Sequence, residues 1–340
     1  MEVKVLQREM RKNLSFLPLF KKNRADHQVI DPNFIPNKTS FKLLWQKYKV
    51  FYLMLLPAIL FFIIFSYWPM TGIVLAFRKF TFTSGMYGKS WVEFKYFESF
   101  FRDRDSMNYV KNTLVISIIK LFVYLPFPIT LALIFNEVRK PRLRSMYQSI
   151  SYLPYFISWV VVVGIISRLF APDTGLINIL LKSLHITDGS TFWMMEDFFF
   201  YPAIFLSYLW KNIGWDSIIY FAAMMGISPS LYEAAAIDGA NRWKQTRHIT
   251  LPGIRGTIMI LFILSLGGIL TAGFDQVYLM QNPGNYAVSE TIDTYIVKTG
   301  LEQAKYGPAT AVGLMQGLVG LVLTVTVNKF ADKFGDNAVW

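Results

Sequence analysis

Between Val50 and Phe77 the chain runs through 28 residues without one charged side chain. A helix rises about 1.5 Å per residue, so a run of this length crosses a hydrocarbon core of about 30 Å with residues to spare. A charge-free stretch this long confines the chain to folds built in a bilayer. No basic-then-apolar leader with a small-residue cleavage site accompanies the run, so it is expected to be retained as a first membrane helix.

The rest of the sequence agrees. Of 340 residues, 54% are hydrophobic and only 16% charged, where a soluble domain carries about a quarter. Further spans are expected near 113–135, 149–170, 198–225, 254–274 and 308–328, the second and fourth interrupted by Lys120, Lys211 and Asp216. The expectation is an all-α membrane protein with about six transmembrane helices. Cysteine is absent, which excludes disulfides and Cys-ligated metals, and three scattered histidines make no metal site.

The net charge of +12 raises nucleic acid as a partner, so the placement of the basic residues matters. The arm before Val50 and the segments at 136–145, 231–255 and 329–340 hold twenty-one Lys and Arg, against ten in the alternate segments 78–111, 171–197 and 275–307. The positive-inside rule then puts both termini in the cytoplasm. Topology accounts for the charge, and no nucleic acid is needed. The expected organisation is a basic cytoplasmic arm at 1–49, a transmembrane domain at 50–330 and a cytoplasmic tail at 331–340. The arm mixes basic and apolar residues, which suits either the anionic inner leaflet or a free tail.

One cytoplasmic segment stands out, the polar stretch "LYEAAAIDGANRWKQTRHITLPGI" from Leu231 to Ile254. Ser230 and Glu233 have the spacing of a capping box, the alanines propagate a helix with a thin face, and Gly239 suits the left-handed turn that ends it. Asn241 is placed to start a second short helix, and Pro252 suits the first turn of the next span. A short helix lying across the membrane surface is shaped to sit in a groove of another protein.

Glu233-Ala234-Ala235, Asp238-Gly239-Ala240 and Ile249-Thr250-Leu251-Pro252 together resemble the EAA loop of type I ABC importer permeases. The flanks "GWDSIIYFAAMMGISPSLYEAA", "FDQVYLMQNPG" and "TIDTYIVKTGLEQAKYGPATAVGL" look like the carbohydrate-uptake, maltose-type branch. The resemblance covers about residues 50 to 330. It implies the type I permease fold and a coupling loop at 228–254, with Glu233, Ala234, Ala235, Asp238, Gly239, Ala240, Leu251 and Pro252 docking in a cleft of a cytoplasmic ATPase. The family usually has a bulky apolar residue where this chain has Thr246. The resemblance further implies two ATPases that bind ATP and Mg, an extracytoplasmic solute-binding protein and a second permease. Since the chain has one such loop, a different, similarly built partner is expected, giving a heterodimer in a bacterial inner or plasma membrane.

No hydrolytic engine is apparent in the chain itself. "GMYGKS" (Gly85 to Ser90) has Thr83 where a phosphate loop needs its first glycine, and no nucleophile or metal constellation emerges. The chain is expected to be a non-catalytic subunit without a cofactor of its own. For the substrate, polar groups inside spans are the default candidates. Tyr208, Lys211, Asn212 and Trp215 differ by three, four and seven and share a helix face, with Asp216 beside them. By their distance from the loop, these positions and Ser265 resemble those lining the sugar site of the maltose-type permeases. Hydroxyl-binding groups beside aromatic rings suit sugars, and a lysine among them suits uronates. The alternatives are an aromatic interfacial belt with Lys211 reaching outward, and a structural pair between Lys120 and Asp216. Gly313, Gly317 and Gly320 suit close helix packing.

An ATP-driven oligosaccharide importer subunit is the leading reading. Import of glycerol phosphates or peptides by the same machinery is the nearest alternative. An ion-coupled transporter would require internal repeats and clustered acids that the sequence does not display.

Overall fold

The computed structural model describes residues 41–83, 85, 86 and 90–334. Most of the basic arm, the last residues of the tail and Lys89 of the Gly-Lys-Ser turn lie outside the described residues. Two units are distinct, one ending at Trp68 and the other beginning at Pro69.

In the first unit, α1 (Phe41–Phe62) leads into a π-helical turn at Ile63–Tyr67. From Val50 to Phe65 its large apolar side chains are exposed on every side. A helix that is apolar all round and bare suits lipid or a partner rather than water.

The second unit opens with a 3₁₀ run at Trp68–Ala76 and a surface helix, α2 (Lys95–Arg102). Next come α3 (Ser106–Ile118), a π-helical turn at Ile119–Val123 and α4 (Pro126–Glu137). This span begins earlier than expected and is not one regular helix. After a short break, α5 (Pro141–Tyr152) is followed by a 3₁₀ turn at Leu153–Phe156 and then α6 (Trp159–Leu169). Where the sequence predicts one span at 149–170, α5 and α6 meet at 92°. Pro154 supplies no amide to continue the α-helix, which gives way there to the 3₁₀ turn, and the bend follows at the extended residues Ile157 and Ser158. A small helix, α7 (Leu176–Ser183), precedes α8 (Asp197–Met225), which matches the expected fourth span.

The polar loop contributes α9 (Pro229–Ile237), α10 (Arg242–Gln245), a π turn at Thr246–Thr250 and a single turn, α11 (Leu251–Gly253). It leads into α12 (Arg255–Leu266) at a 55° bend. Pro252 therefore sits before the bend and not in the spanning helix itself. The fifth span is also shorter than expected. Its helix stops at Leu266, and the backbone unwinds through Gly267, Gly268 and Gly273, the last with φ +79. Beyond it, α13 (Phe274–Met280), α14 (Tyr286–Ser289) and α15 (Ile292–Val297) precede the last span, α16 (Tyr306–Phe334).

Among the described residues, three helices are long and apolar enough to cross a membrane, at 48–76, 106–137 and 306–329, and up to five if each bent pair is one span. At 29 residues α8 also has the length, though its Lys, Asp, Tyr and Trp residues make it less apolar.

Helix α8 is the hub of the second unit, packing against α4, α5, α12 and α13. One apolar cluster gathers Ile116, Phe200, Ile204, Val277 and Met280, and a second gathers Ala132, Tyr220, Met224 and Ile254 near the polar loop. The segment between α12 and α16 is bound into the fold by buried amides and hydroxyls. Asn112 Nδ2 donates to Ala287 O at 3.0 Å and Glu290 O at 2.9 Å, while Thr113 Oγ1 accepts from Ile292 N at 2.9 Å. In a bundle surrounded by lipid, such bonds hold non-helical backbone that no water can satisfy.

Candidate functional site

Two constellations emerge, one in the middle of the bundle and one on the loop between α8 and α12. The first is a cavity of about 430 Å³ between the π turn of the second span, α8 and the unwound end of α12. Ser117, Lys120, Tyr124, Tyr208, Asp216 and Ser265 line it. Tyr124 donates its hydroxyl to Asp216 Oδ2 at 2.7 Å, and its ring meets that of Tyr208 edge to face with centroids 4.9 Å apart. Lys120 Nζ lies 4.8 Å from the centre of the Tyr208 ring and donates to Ala272 O at 2.7 Å. The structural Lys120–Asp216 pair left open by the sequence does not form, because Tyr124 takes the carboxylate and the unwound backbone takes the ammonium.

That unwound backbone is carefully held. Ala272 N donates to Asp293 Oδ2 at 3.1 Å, and Gln316 Nε2 donates to Leu270 O at 2.6 Å and to Asp293 Oδ1 at 2.8 Å. Gly273 is required on two counts. Its φ of +79 suits glycine, and a Cβ there would sit 2.5 Å from Lys120 Nζ.

The residues expected along the substrate path divide between two sides of α8. Tyr208 and Asp216 line the cavity, joined by Ser265, whose hydroxyl also returns to Leu261 O at 2.8 Å. Asn212 Nδ2 is satisfied within the helix by Tyr208 O at 2.9 Å. Lys211 and Trp215 turn toward the α5–α6 break. Buried Lys211 donates Nζ to Tyr155 O and, at 2.6 Å, to Ile157 O, while Trp215 stacks on Tyr155 at 4.4 Å. Helical geometry explains the division: at 100° per residue, Lys211 and Asp216 flank Tyr208 at opposite edges of a wide arc. Sequence reasoning passed over Ser117 and Tyr124, although Thr113, Ser117, Lys120 and Tyr124 recur at helical spacing along an otherwise apolar span.

The second constellation is the loop. Its helix begins two residues earlier than the expected capping box. Ser228 is the cap residue and Pro229 the first helical one, since proline needs no amide partner there. Ser230 instead bonds Ser228 between hydroxyls at 2.8 Å. Glu233 is thereby free of any capping role and exposed. The helix does close as expected: Gly239 has φ +76, and Ala240 N returns to Ala235 O at 2.8 Å. Asn241 caps α10 by accepting from Lys244 N at 2.9 Å. The two arms of the loop are joined by Tyr232 and Thr250, hydroxyl to hydroxyl at 2.9 Å, and Arg242 reaches Glu137 at the end of α4 at 3.8 Å. Glu233 and Thr246 border a cavity of about 410 Å³ between those arms. Ala234, Asp238 and Pro252 are exposed, and so are two apolar side chains, Ile237 at 87% and Trp243 at 70%. Among the described residues, no group of three or more His, Asp and Glu could hold a metal ion.

Residues 124–335 match the family model described as a binding-protein-dependent transport system inner membrane component. The chain is 40% identical to the polygalacturonan/rhamnogalacturonan transport system permease protein YteP of Bacillus subtilis, over 88% of this chain and 92% of that one. It is 31% identical to the arabinooligosaccharides transport system permease protein AraP of the same organism, over 66% of this chain and 71% of that one. Among solved structures it resembles a chain from a bacterial alginate ABC transporter in complex with an alginate pentasaccharide-bound periplasmic protein. That match has a TM-score of 0.79 at 37% identity and covers 87% of this chain and 99% of the other.

Proposed function

This chain belongs to the family of binding-protein-dependent transport system inner membrane components, and from that premise we propose that it imports oligosaccharides derived from acidic polysaccharides. It does so as one of two different permease subunits, driven by a separate ATPase. The observation that carries the reading is the mid-bundle cavity, where Tyr208, Asp216 and Ser265 put aromatic rings beside hydrogen-bonding groups in a span that would otherwise be apolar. Sugars need both: their hydroxyls require polar partners and their C–H faces pack on rings. The acidic class is supported by the relatives, named for polygalacturonan and rhamnogalacturonan in one case and for alginate in another.

The chain is non-catalytic in this reading. ATP and Mg bind the partner ATPases, one of which receives the loop of residues 228–254 through Glu233, Ala234, Ala235, Asp238, Gly239, Ala240, Leu251 and Pro252. Exposed Ile237 and Trp243 extend that surface. Both termini lie on the same cytoplasmic side as the loop, the domain of residues 50–330 spans the membrane, and the solute-binding protein delivers its cargo from the opposite side.

The test is co-expression with the neighbouring permease, ATPase and binding protein, measuring uptake and ATP hydrolysis with Glu233→Lys. Loss of ATP-driven uptake, with the variant still in the membrane, is expected. Normal transport by Glu233→Lys would remove the docking role from that residue. Uptake that persists without any ATPase would overturn the importer reading.

A further inference from the structure

Like the first span, the second leaves α geometry for a π turn, at Ile119–Val123, closed by Tyr124 N to Ile119 O at 3.1 Å, and this turn lies on the cavity wall. Such turns occur frequently at functional sites. The turn carries Lys120, and one turn before it stands Ser117, both on the cavity wall. Neither is fully used by the protein. Ser117 is 5% exposed and its Oγ has no hydrogen-bond partner among the described residues. Lys120 has three donors, of which one goes to Ala272 O, and it forms no ion pair among the described residues. An ammonium at mid-membrane depth without a carboxylate is costly, and an unmade hydroxyl bond adds to that.

We propose that Ser117 and Lys120 receive the carboxylate of an acidic sugar unit as it passes through the permease, which makes Lys120 the residue that selects anionic over neutral oligosaccharides. This rests on the acidic-oligosaccharide reading above and assigns its specificity to two side chains. The ammonium supplies the charge and the serine hydroxyl a neutral donor beside it, a pair suited to the two oxygens of one carboxylate. Asp216, the carboxylate in the same cavity, is held by Tyr124 and faces sugar hydroxyls as an acceptor. Tyr208 packs on the sugar ring. The uronate thus has one place for its charge and another for its hydroxyls, and the orientation of the chain follows from that.

The deciding experiment uses proteoliposomes with the complete transporter and its binding protein. Uptake of trigalacturonate, trimannuronate and neutral xylotriose is compared for wild type, Lys120→Gln, Lys120→Arg and Ser117→Ala, alongside basal ATP hydrolysis and thermal stability. Removing a charge-assisted bond is expected to lower uptake of the acidic probe by about tenfold or more in Lys120→Gln. Lys120→Arg should retain most of it, Ser117→Ala should show a smaller loss, and the ratio of acidic to neutral uptake should fall in Lys120→Gln. If the wild type takes up an acidic probe and Lys120→Gln does so equally well, the assignment is wrong although the acidic-substrate reading survives. If Lys120→Gln lowers uptake of xylotriose in the same proportion as that of the acidic probes, Lys120 only tethers the unwound backbone, and the assignment is again overturned. Wild type that takes up neither acidic probe overturns the acidic-substrate reading and this inference with it.

Discussion

Lys211→Met separates the two roles that a lysine inside a span can have. Methionine keeps the apolar stem and approximate volume of the side chain and removes its ammonium. In the structure that ammonium closes the α5–α6 break, donating to the carbonyls of Tyr155 and Ile157 and lying 5.2 Å and 5.5 Å from the ring centres of Tyr155 and Trp159. Hydrogen bonds to a charged group contribute about 1.5–3 kcal/mol each. Relief from burying the charge offsets part of that, and the expected net loss is about 2–4 kcal/mol. For a chain of this size it corresponds to a fall of roughly 3–6 °C in melting temperature. The assay is the thermal unfolding of the detergent-purified transporter, followed by tryptophan fluorescence, with uptake of acidic and neutral probes in parallel. The expected outcome is a lower melting temperature with an unchanged ratio between the probes. A variant that melts like wild type while its sugar preference shifts would refute the argument and return Lys211 to the substrate path.

Other outcomes follow from the same geometry. Gly214→Ala places a methyl group against the backbone oxygen of Ser151, so it should destabilise the α5–α8 contact by about 1–3 kcal/mol, read as reduced yield of assembled transporter. Gln316→Leu removes the donor to Leu270 O and Asp293, and should raise protease sensitivity around residues 267–273 while ATPase binding persists. Ile237→Asp puts a charge where an 87% exposed hydrophobe stands. It should leave the isolated subunit's stability within about 0.5 kcal/mol of wild type and abolish co-purification of the ATPase.

Much of this protein was legible without coordinates because the bilayer imposes a one-dimensional code. Charge-free runs announced the spans, and Val50–Phe77 recurs as a helical run at 48–76. The Glu-Ala-Ala and Asp-Gly-Ala spacing announced the loop, whose left-handed Gly239 and capping Asn241 are local matters that a few neighbours decide. Even there, the cap shifted from Ser230 to Ser228, since Pro229 occupies the first helical position at no cost and a spacing rule does not weigh that competition.

The arrangement around α8 was decided by tertiary structure. Hydropathy reports how far a segment dislikes water, not where its carbonyls find donors. The 92° break after Pro154 and the unwinding after Leu266 both depend on distant groups: Lys211 supplies donors to the first, and Lys120, Asp293 and Gln316 hold the second. The same dependence divided the expected substrate residues. Helical spacing put Lys211 and Tyr208 on one face, but a face is an arc, and the elements packed against its two edges differ. One edge meets a backbone break that consumes the lysine. The other opens on a cavity lined by residues from the second and fifth spans, far away in the chain. The sequence by itself determined that the chain spans a membrane and carries a polar helical loop at 228–254, because local pattern and solvent preference suffice for that. Which buried charge closes a backbone break and which lines the cavity was decided only when separate helices came together, because a charge buried in a span takes whatever partner the fold brings within reach.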